Sequence, residues 1–403
     1  MRDILNLTRD NRLIALSLFF WGLGDGLFLY IQPLYLKQLG ADPVMTGTVL
    51  ALAALTAALS MIPAGTIADH IGRKPVILFG WGLGAVAGAV MYLAQDLTVF
   101  TIGLMLYMGT GCAIAPLNAY IAEARGKQSV QRALTLASAG FMAGAIVSPA
   151  IGGELSVLLG LRAVYGIAAV AFLLSFLVLF PLTHQAVVKP TGGASRYGQL
   201  LRNTGFLRFL VLYFVALGAV DLSLPFASNF VVDVHEHPTE IVGWLGSFSS
   251  LGALLLNLLL GHSQPRRGFL ISLALAVAWI GLLLASGEFA FLAVAFMLRA
   301  GTSLARNMGS AQLGRMVSPA EIGLAQVGRM VGQHEIGLAY GIAETIPTTV
   351  LTLAPLAAGF LYAQAPALPF QVSLVLGLIS IGLAWRLAPR RDAQSADPAP
   401  GGF

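Results

Sequence analysis

A chain of 403 residues that is 57% hydrophobic and only 10% charged departs from the roughly 45–50% apolar and about 25% charged make-up of a soluble domain. Its mean hydropathy of +0.82 and its 23 basic and 18 acidic side chains cannot furnish a water-facing surface, which excludes a soluble protein with an oversized core. The net charge of +5 reads as membrane topology, and no basic stretch interleaved with aromatics suggests nucleic-acid binding.

The start, MRDILNLTRDNR, is too polar for a cleaved leader, so the first apolar run is expected to carry targeting. A crossing takes roughly 20 apolar residues, and such runs are expected at 13–36, 46–67, 75–94, 98–121, 134–158 and 162–181. A polar stretch, 183–205, interrupts. Six more runs follow at 207–231, 241–261, 268–286, 289–311, 337–361 and 370–387, before a tail, 388–403, with the composition of a disordered end. With twelve crossings the clusters at Arg9 and Arg12, Arg73 and Lys74, Arg125 and Lys127, Arg266 and Arg267, and Arg390 and Arg391 share one side. The other side holds Lys37 and Arg162 among Asp42, Asp96, Asp233, Glu240 and Glu288. The positive-inside rule puts both termini and the central loop in the cytoplasm.

A repeat runs through the chain at an offset of 196. Arg12 matches Arg208, Gly22 Gly218, Asp25 Asp221, Gly47 Gly243, Gly65 Gly261 and Gly72 Gly268. The expected fold is therefore all-α and integral to the membrane, with twelve transmembrane helices in two six-helix bundles. These are 1–182 and 206–387, joined by a cytoplasmic linker, 183–205, and enclosing a cavity. A shorter duplication, LGRMVSPAEIGLA at 313–325 and VGRMVGQHEIGLA at 327–339, has no assigned role. The single cysteine, Cys112, lies in an apolar run and is expected to be core packing.

Between the second and third runs stands GTIADHIGRKPV, 65–76. Its glycines permit close backbone approach and its basic pair anchors the inner membrane face. The string resembles the loop signature of the major facilitator superfamily, G-x-L-A-D-x-x-G-R-K/R, at Gly65, Ala68, Asp69, Gly72, Arg73 and Lys74. The resemblance implies a conformational latch between the bundles, with Asp69 and Arg73 in the switching roles. The corresponding place in the second half, GHSQPRRG, carries Pro265 where Asp69 stands. In the fifth run, GFMAGAIVSPAIGG resembles the glycine-and-proline motif of the antiporter branch at Gly140, Gly144, Pro149, Gly152 and Gly153, with Ser148 in place of a glycine. Small residues four apart also serve ordinary helix contact, and Pro149 removes a backbone donor.

Four ionisable residues fall deep in the runs: Asp25 in the first, Asp221 in the seventh, Arg299 and Arg306 in the tenth. A charge at such depth costs about 2.5–3.5 kcal/mol and needs a cavity or a partner. The resemblance implies that runs one, four, seven and ten line the cavity. Asp25 and Asp221 are candidates for proton coupling or for binding a cation, and equally for pairing with an arginine or capping a broken helix. Helix irregularity is expected around WGLGDG (21–26) and Pro225. Arg299 and Arg306, seven apart, share one face of a continuous helix. They suit a carboxylate or phosphate ligand, or Asp221, and Arg306 also suits snorkelling. Tyr107 stands where related drug–proton antiporters carry an arginine in the fourth run, and it aligns with Arg299. Tyr107 and Asn118 are further polar candidates, for the cavity or for interhelical hydrogen bonds.

No Walker, H-E-x-x-H or G-x-S-x-G string occurs, so neither ATP use nor an enzyme is indicated, and no cofactor or metal is expected. The expectation is a monomeric, multi-pass secondary transporter of a bacterial inner membrane, working by alternating access. Its partners are a small-molecule substrate, a coupling proton and membrane lipid. Proton-coupled efflux of amphiphilic compounds leads. Uptake or exchange of a small metabolite or organic anion, or a non-transporting receptor or scaffold, are the alternatives.

Overall fold

The computed structural model describes residues 7–185, 204–316 and 333–387, without the side chains of 62–63, 65–66, 69, 204–206, 313–316 and 333–345. Every described regular element is helical. In chain order the helices are α1 (Arg9–Leu29), α2 (Gln32–Gln38), α3 (Pro43–Ile71), α4 (Arg73–Leu93), α5 (Leu97–Gly109), α6 (Ile114–Glu123), α7 (Val130–Leu159), α8 (Leu161–Leu179), α9 (Thr204–Asp221), α10 (Ala227–Asp233), α11 (Thr239–Leu260), α12 (Pro265–Ala285), α13 (Phe289–Arg299), α14 (Gly301–Met316), α15 (Gln333–Gln364) and α16 (Leu368–Leu387). Eleven helical stretches among the described residues are long and apolar enough to cross a bilayer. The seventh crossing is α9, continued after a turn by α10. The protein is an all-α, multi-pass membrane protein, and its crossings coincide with the twelve expected from the sequence.

Helix ends follow local chemistry. Asp42, Asp96 and Ser129 cap α3, α5 and α7 by accepting from the amides of Met45 (2.7 Å), Val99 (2.9 Å) and Arg132 (3.2 Å), which satisfies donors that a helix start leaves open. Gly72 joins α3 to α4 at φ +93°, a conformation that glycine adopts without steric cost. The side chains that point outward are apolar, with Phe79 65% and Leu158 75% exposed. Such a surface needs lipid around it.

Four crossings are broken, at matching places in the two halves. The first breaks at Tyr30 and Ile31 and the seventh at 222–226; the fourth tightens into a 3-10 turn, Thr110–Ala113, and the tenth breaks at Ala300. The expected irregularity at WGLGDG is not there: α1 stays helical through Gly22, Gly24 and Gly26. Those glycines serve packing instead. A Cβ on Gly22 would lie 2.2 Å from the Phe141 carbonyl oxygen, and one on Gly26 2.1 Å from Ser148 Oγ. The break waits for Pro33, which stands at the start of α2 without a backbone donor.

α1 packs along α7 and α8, and α4 along α8; α12 packs on α14 and α9 on α16. Two long contacts join the halves, α3 with α15 and α7 with α11. Both rest on the repeat pair Gly47 and Gly243. A Cβ on Gly47 would lie 2.3 Å from the Pro355 carbonyl oxygen, and one on Gly243 2.4 Å from that of Pro149. Lys37 Nζ lies 2.7 Å from Asp233 Oδ1, and these residues are 196 apart. Two repeat-related positions touch only where the axis relating them passes, so the ion pair marks that axis. The other hydrogen bonds between the halves, among the described residues, lie toward the same end: Ser228 Oγ to the Tyr30 carbonyl, the Ala150 amide to Ser247 Oγ (3.0 Å) and Trp244 Nε1 to Glu154 (3.0 Å). The end bearing Lys37, Asp233 and Glu240 is closed.

Candidate functional site

Two concave spaces stand out. The larger, about 700 Å³, lies between α3, α4 and α5 and reaches Cys112; its lining is apolar apart from two hydroxyls. Those of Thr56 and Ser60 are spent on the carbonyls of Leu52 and Ala57, 2.8 Å away in each case. It offers nothing to orient a ligand. The smaller, about 410 Å³, is central, formed by residues of the first, second, fourth, seventh, tenth and eleventh crossings. Leu29, Met61, Met108, Leu224 and Leu351 give it apolar walls, and Tyr30, Gln32, Ser228, Thr348 and Arg299 bring polar groups. An apolar cavity with a few convergent polar groups is the form of a small-molecule site.

The four deep charges are placed differently from one another. Tyr107 on α5 donates its hydroxyl to Asp25 Oδ1 on α1, so two residues chosen separately from the sequence form one unit. Its surroundings are aromatic: Trp21 stacks on Tyr107 at 6.0 Å, Phe28 meets it edge-on at 5.4 Å, and Phe172 lies at 5.3 Å. Among the described residues no cation pairs with Asp25. Asp221, its counterpart, is paired: Arg306 Nη2 lies 2.9 Å from Asp221 Oδ2, with the carboxylate side chain 1% exposed. Arg306 therefore does not snorkel. It crosses from α14 to α9 and meets the acid.

Arg299 takes a third course. The break at Ala300 ends the continuous helix that would have kept Arg299 and Arg306 on one face. Arg299 lies on the central cavity, its guanidinium 5.0 Å from the ring centre of Tyr30 and 5.9 Å from that of Phe296. It makes no hydrogen bond to Asp221, whose partner is Arg306. Asn118, on α6, is exposed and bonds to none of these groups; it is not brought to the cluster.

The two sequence signatures also have places. Arg73 Nη1 binds Glu123 Oε2, the Ala119 carbonyl (3.3 Å) and Gln185 Oε1 (3.0 Å), and Lys74 Nζ binds the Leu182 carbonyl at 2.6 Å. These partners belong to the first half, apart from Gln185, which stands at the beginning of the expected linker. Gly65 and Asp69 lie on α3, where the side-chain position of Asp69 is outside the described residues. Gly140, Gly144 and Gly152 form the bed of α7 on α1, their Cβ positions 2.1 Å from the Ala15, 2.4 Å from the Phe19 and 1.9 Å from the Leu27 carbonyl oxygens. Gly153 and Pro149 face α11 at Gly243. Pro149 sits within an unbroken α7.

The sequence profile of the Major Facilitator Superfamily matches residues 14–238. The chain belongs to that superfamily. The multidrug resistance protein MdtG of Salmonella dublin is 32% identical over 187 residues, which is 45% of this chain and 46% of that protein. MdtG of Dickeya zeae is 34% identical over 172 residues, 41% and 42% of the two chains. The matched region thus spans less than half the length of these relatives. Among solved structures, the nucleoside transporter NupG superposes with a TM-score of 0.72 at 15% identity, over 94% of this chain and 98% of that one. A bacterial homologue of the lysosomal transporter Spinster, inward-facing and occupied, gives 0.69 at 14% identity, over 94% and 96%. These structures share the superfamily fold with this chain.

Sequence reasoning missed three features of this superfamily member. Tyr30 carries Arg299 on its ring and takes the Ser228 hydrogen bond at its carbonyl. Asp10 lies 2.6 Å from the Tyr120 hydroxyl and 3.2 Å from the Thr183 amide. With Gln185, which bonds to Tyr120 and Arg73, it fastens the beginning of the expected linker to the first half. Lys37 and Asp233 read as loop charges on the same, non-cytoplasmic side with no pairing between them; their offset of 196 was the available signal.

Proposed function

We propose that the protein is a secondary active transporter of a bacterial inner membrane that exports amphiphilic small molecules by alternating access, coupled to proton entry and working as a monomer. Residues 1–182 and 206–387 form the two moving units, 183–205 the linker, and the basic end, with both termini, faces the cytoplasm. The observation that carries this reading is the central cavity between the halves, shut at the acidic end by the Lys37–Asp233 pair and the Gly47 and Gly243 contacts. Such an arrangement is one half of an alternating-access cycle. Membership of the superfamily and the likeness to proteins named for multidrug resistance support export. In the motif, Gly140, Gly144 and Gly152 supply the close contact between crossings one and five, and Pro149 and Gly153 the contact of crossing five with crossing eight. Arg73, Lys74 and Gly72, with Asp69 and Gly65, form the conformational-switch loop at the cytoplasmic end.

Of the two acids, Asp25 is the coupling group. Asp221 has its own cation at 2.9 Å and acts as a strut, whereas Asp25 has a neutral phenol and gains most from binding a proton in a medium hostile to charge. The test is flux in proteoliposomes under an imposed proton gradient, with a panel of amphiphilic compounds. Asp25→Asn is expected to abolish the gradient dependence while sparing exchange down a substrate gradient. Gradient-driven flux that survives in Asp25→Asn overturns the assignment.

A further inference from the structure

The charge on the central cavity narrows the cargo of the transport reading on which this inference rests. We infer that the cargo is an amphiphilic oxyanion, a carboxylate or phosphoryl head on an apolar body, and that Arg299 is its anchor. Of the four deep charges, Arg299 alone is on the cavity lining. Asp221 is engaged by Arg306, and Asp25 is engaged by Tyr107 and is not part of the lining. Among the described lining residues the cavity therefore presents one formal charge, and it is positive.

The guanidinium has donors to give. It carries five N–H groups, and among the described residues none is bonded to an acceptor; Nε is buried with no partner. Tyr30 and Phe296 hold the cation from one side through their ring faces, an attraction that takes up no hydrogen bond of the fork. A carboxylate or phosphoryl group fits the fork with two parallel bonds. A cationic drug would meet like charge in a low-dielectric space with no carboxylate among the described lining residues. The neutral polar groups compete weakly, since Ser228 Oγ already donates to the Tyr30 carbonyl. The remaining walls, Leu29, Leu50, Met61, Met108, Leu224 and Leu351, suit an apolar body. At about 410 Å³ the space lies in the usual range for a drug-sized ligand. Tyr30 and Arg299 come from opposite halves, so an anion drawn to Arg299 acts on a contact that the halves share.

The experiment uses the full chain in nanodiscs of zwitterionic lipid, with empty nanodiscs as the blank and no proton gradient. Equilibrium binding is measured for decanoate, decyl phosphate, decanamide and decyltrimethylammonium, which share one apolar chain. Decanoate and decyl phosphate are expected to bind at least tenfold tighter than the amide and the ammonium compound. Arg299→Gln brings them down to the amide, and Arg299→Lys, which keeps charge without the fork, falls between. Thermal unfolding of both variants checks that they are folded, and Arg299→Lys carries the comparison if Arg299→Gln is not. Ammonium binding as tight as that of the oxyanions, or an oxyanion preference that survives in Arg299→Gln, overturns the inference. Oxyanion binding without gradient-driven flux leaves this inference standing and removes the proton-coupled reading; gradient-driven flux of the ammonium compound alone does the reverse.

Discussion

The pairing of Asp221 with Arg306 makes an asymmetric prediction. Arg306→Gln strips the cation from a carboxylate whose side chain is 1% exposed and whose Oδ1 already lacks a partner. Removing one member of a buried pair costs about 3–5 kcal/mol. Asp221→Asn leaves an arginine whose side chain is 28% exposed, and that guanidinium can turn to water or headgroups; the loss is about 1–2 kcal/mol, the scale of one unmade hydrogen bond. The double variant removes both charges and should cost less than the sum of the two, with a coupling of about 1–3 kcal/mol. Reversible unfolding in mixed micelles, followed by tryptophan fluorescence, measures all four proteins. Equal losses in the two single variants, or strict additivity, would refute the buried-strut reading. It would also reopen Asp221 as the coupling acid.

Other consequences can be read separately. Tyr107→Phe takes from Asp25 its hydrogen bond; a bond to a charged group is worth about 1.5–3 kcal/mol, so gradient-driven flux should fall at least tenfold, and wild-type rates would remove Tyr107 from the coupling unit. Gly72→Ala forces a side chain onto φ +93° and should cost about 1–2 kcal/mol. At its repeat-mate Gly268 a Cβ would lie 2.7 Å from both Met308 Sδ and Ser263 Oγ, so alanine there should lower stability through packing and the Ser263 bond to the Leu260 carbonyl, not through backbone strain, in the same unfolding assay. Gly243→Leu drives a side chain into the Pro149 carbonyl, 2.4 Å from the Cβ position, and should part α7 from α11; spin-label distances across the acidic end would widen, and unchanged distances would deny the contact its role. Lys37→Glu should cost less than about 1 kcal/mol in stability, because the lysine side chain is 56% exposed and surface pairs contribute little. Its flux defect should be repaired by adding Asp233→Lys.

Composition and spacing alone determined the solvent, the number of crossings and the kinship of the halves, because lipid leaves a chain few options. A crossing must be apolar, roughly 20 residues long and helical throughout its hydrogen bonding, so its length is written locally. The repeat was legible through Gly47 and Gly243, since close helix contact admits only a residue without a side chain, wherever the partner helix comes from. Asp25, Asp221, Arg299 and Arg306 were also visible one by one, because each violates the local rule against charge. What no local rule contains is how they are matched. Asp25 meets Tyr107 across 82 residues, and Asp221 meets Arg306 across 85. Tertiary packing and the break at Ala300 decided which of the two candidate arginines, Arg306 and not Arg299, takes the acid. That choice leaves Arg299 as the charge on the cavity: ion pairs in lipid form between whichever groups the helices bring within a few ångströms, and that distance is set by the packed bundle.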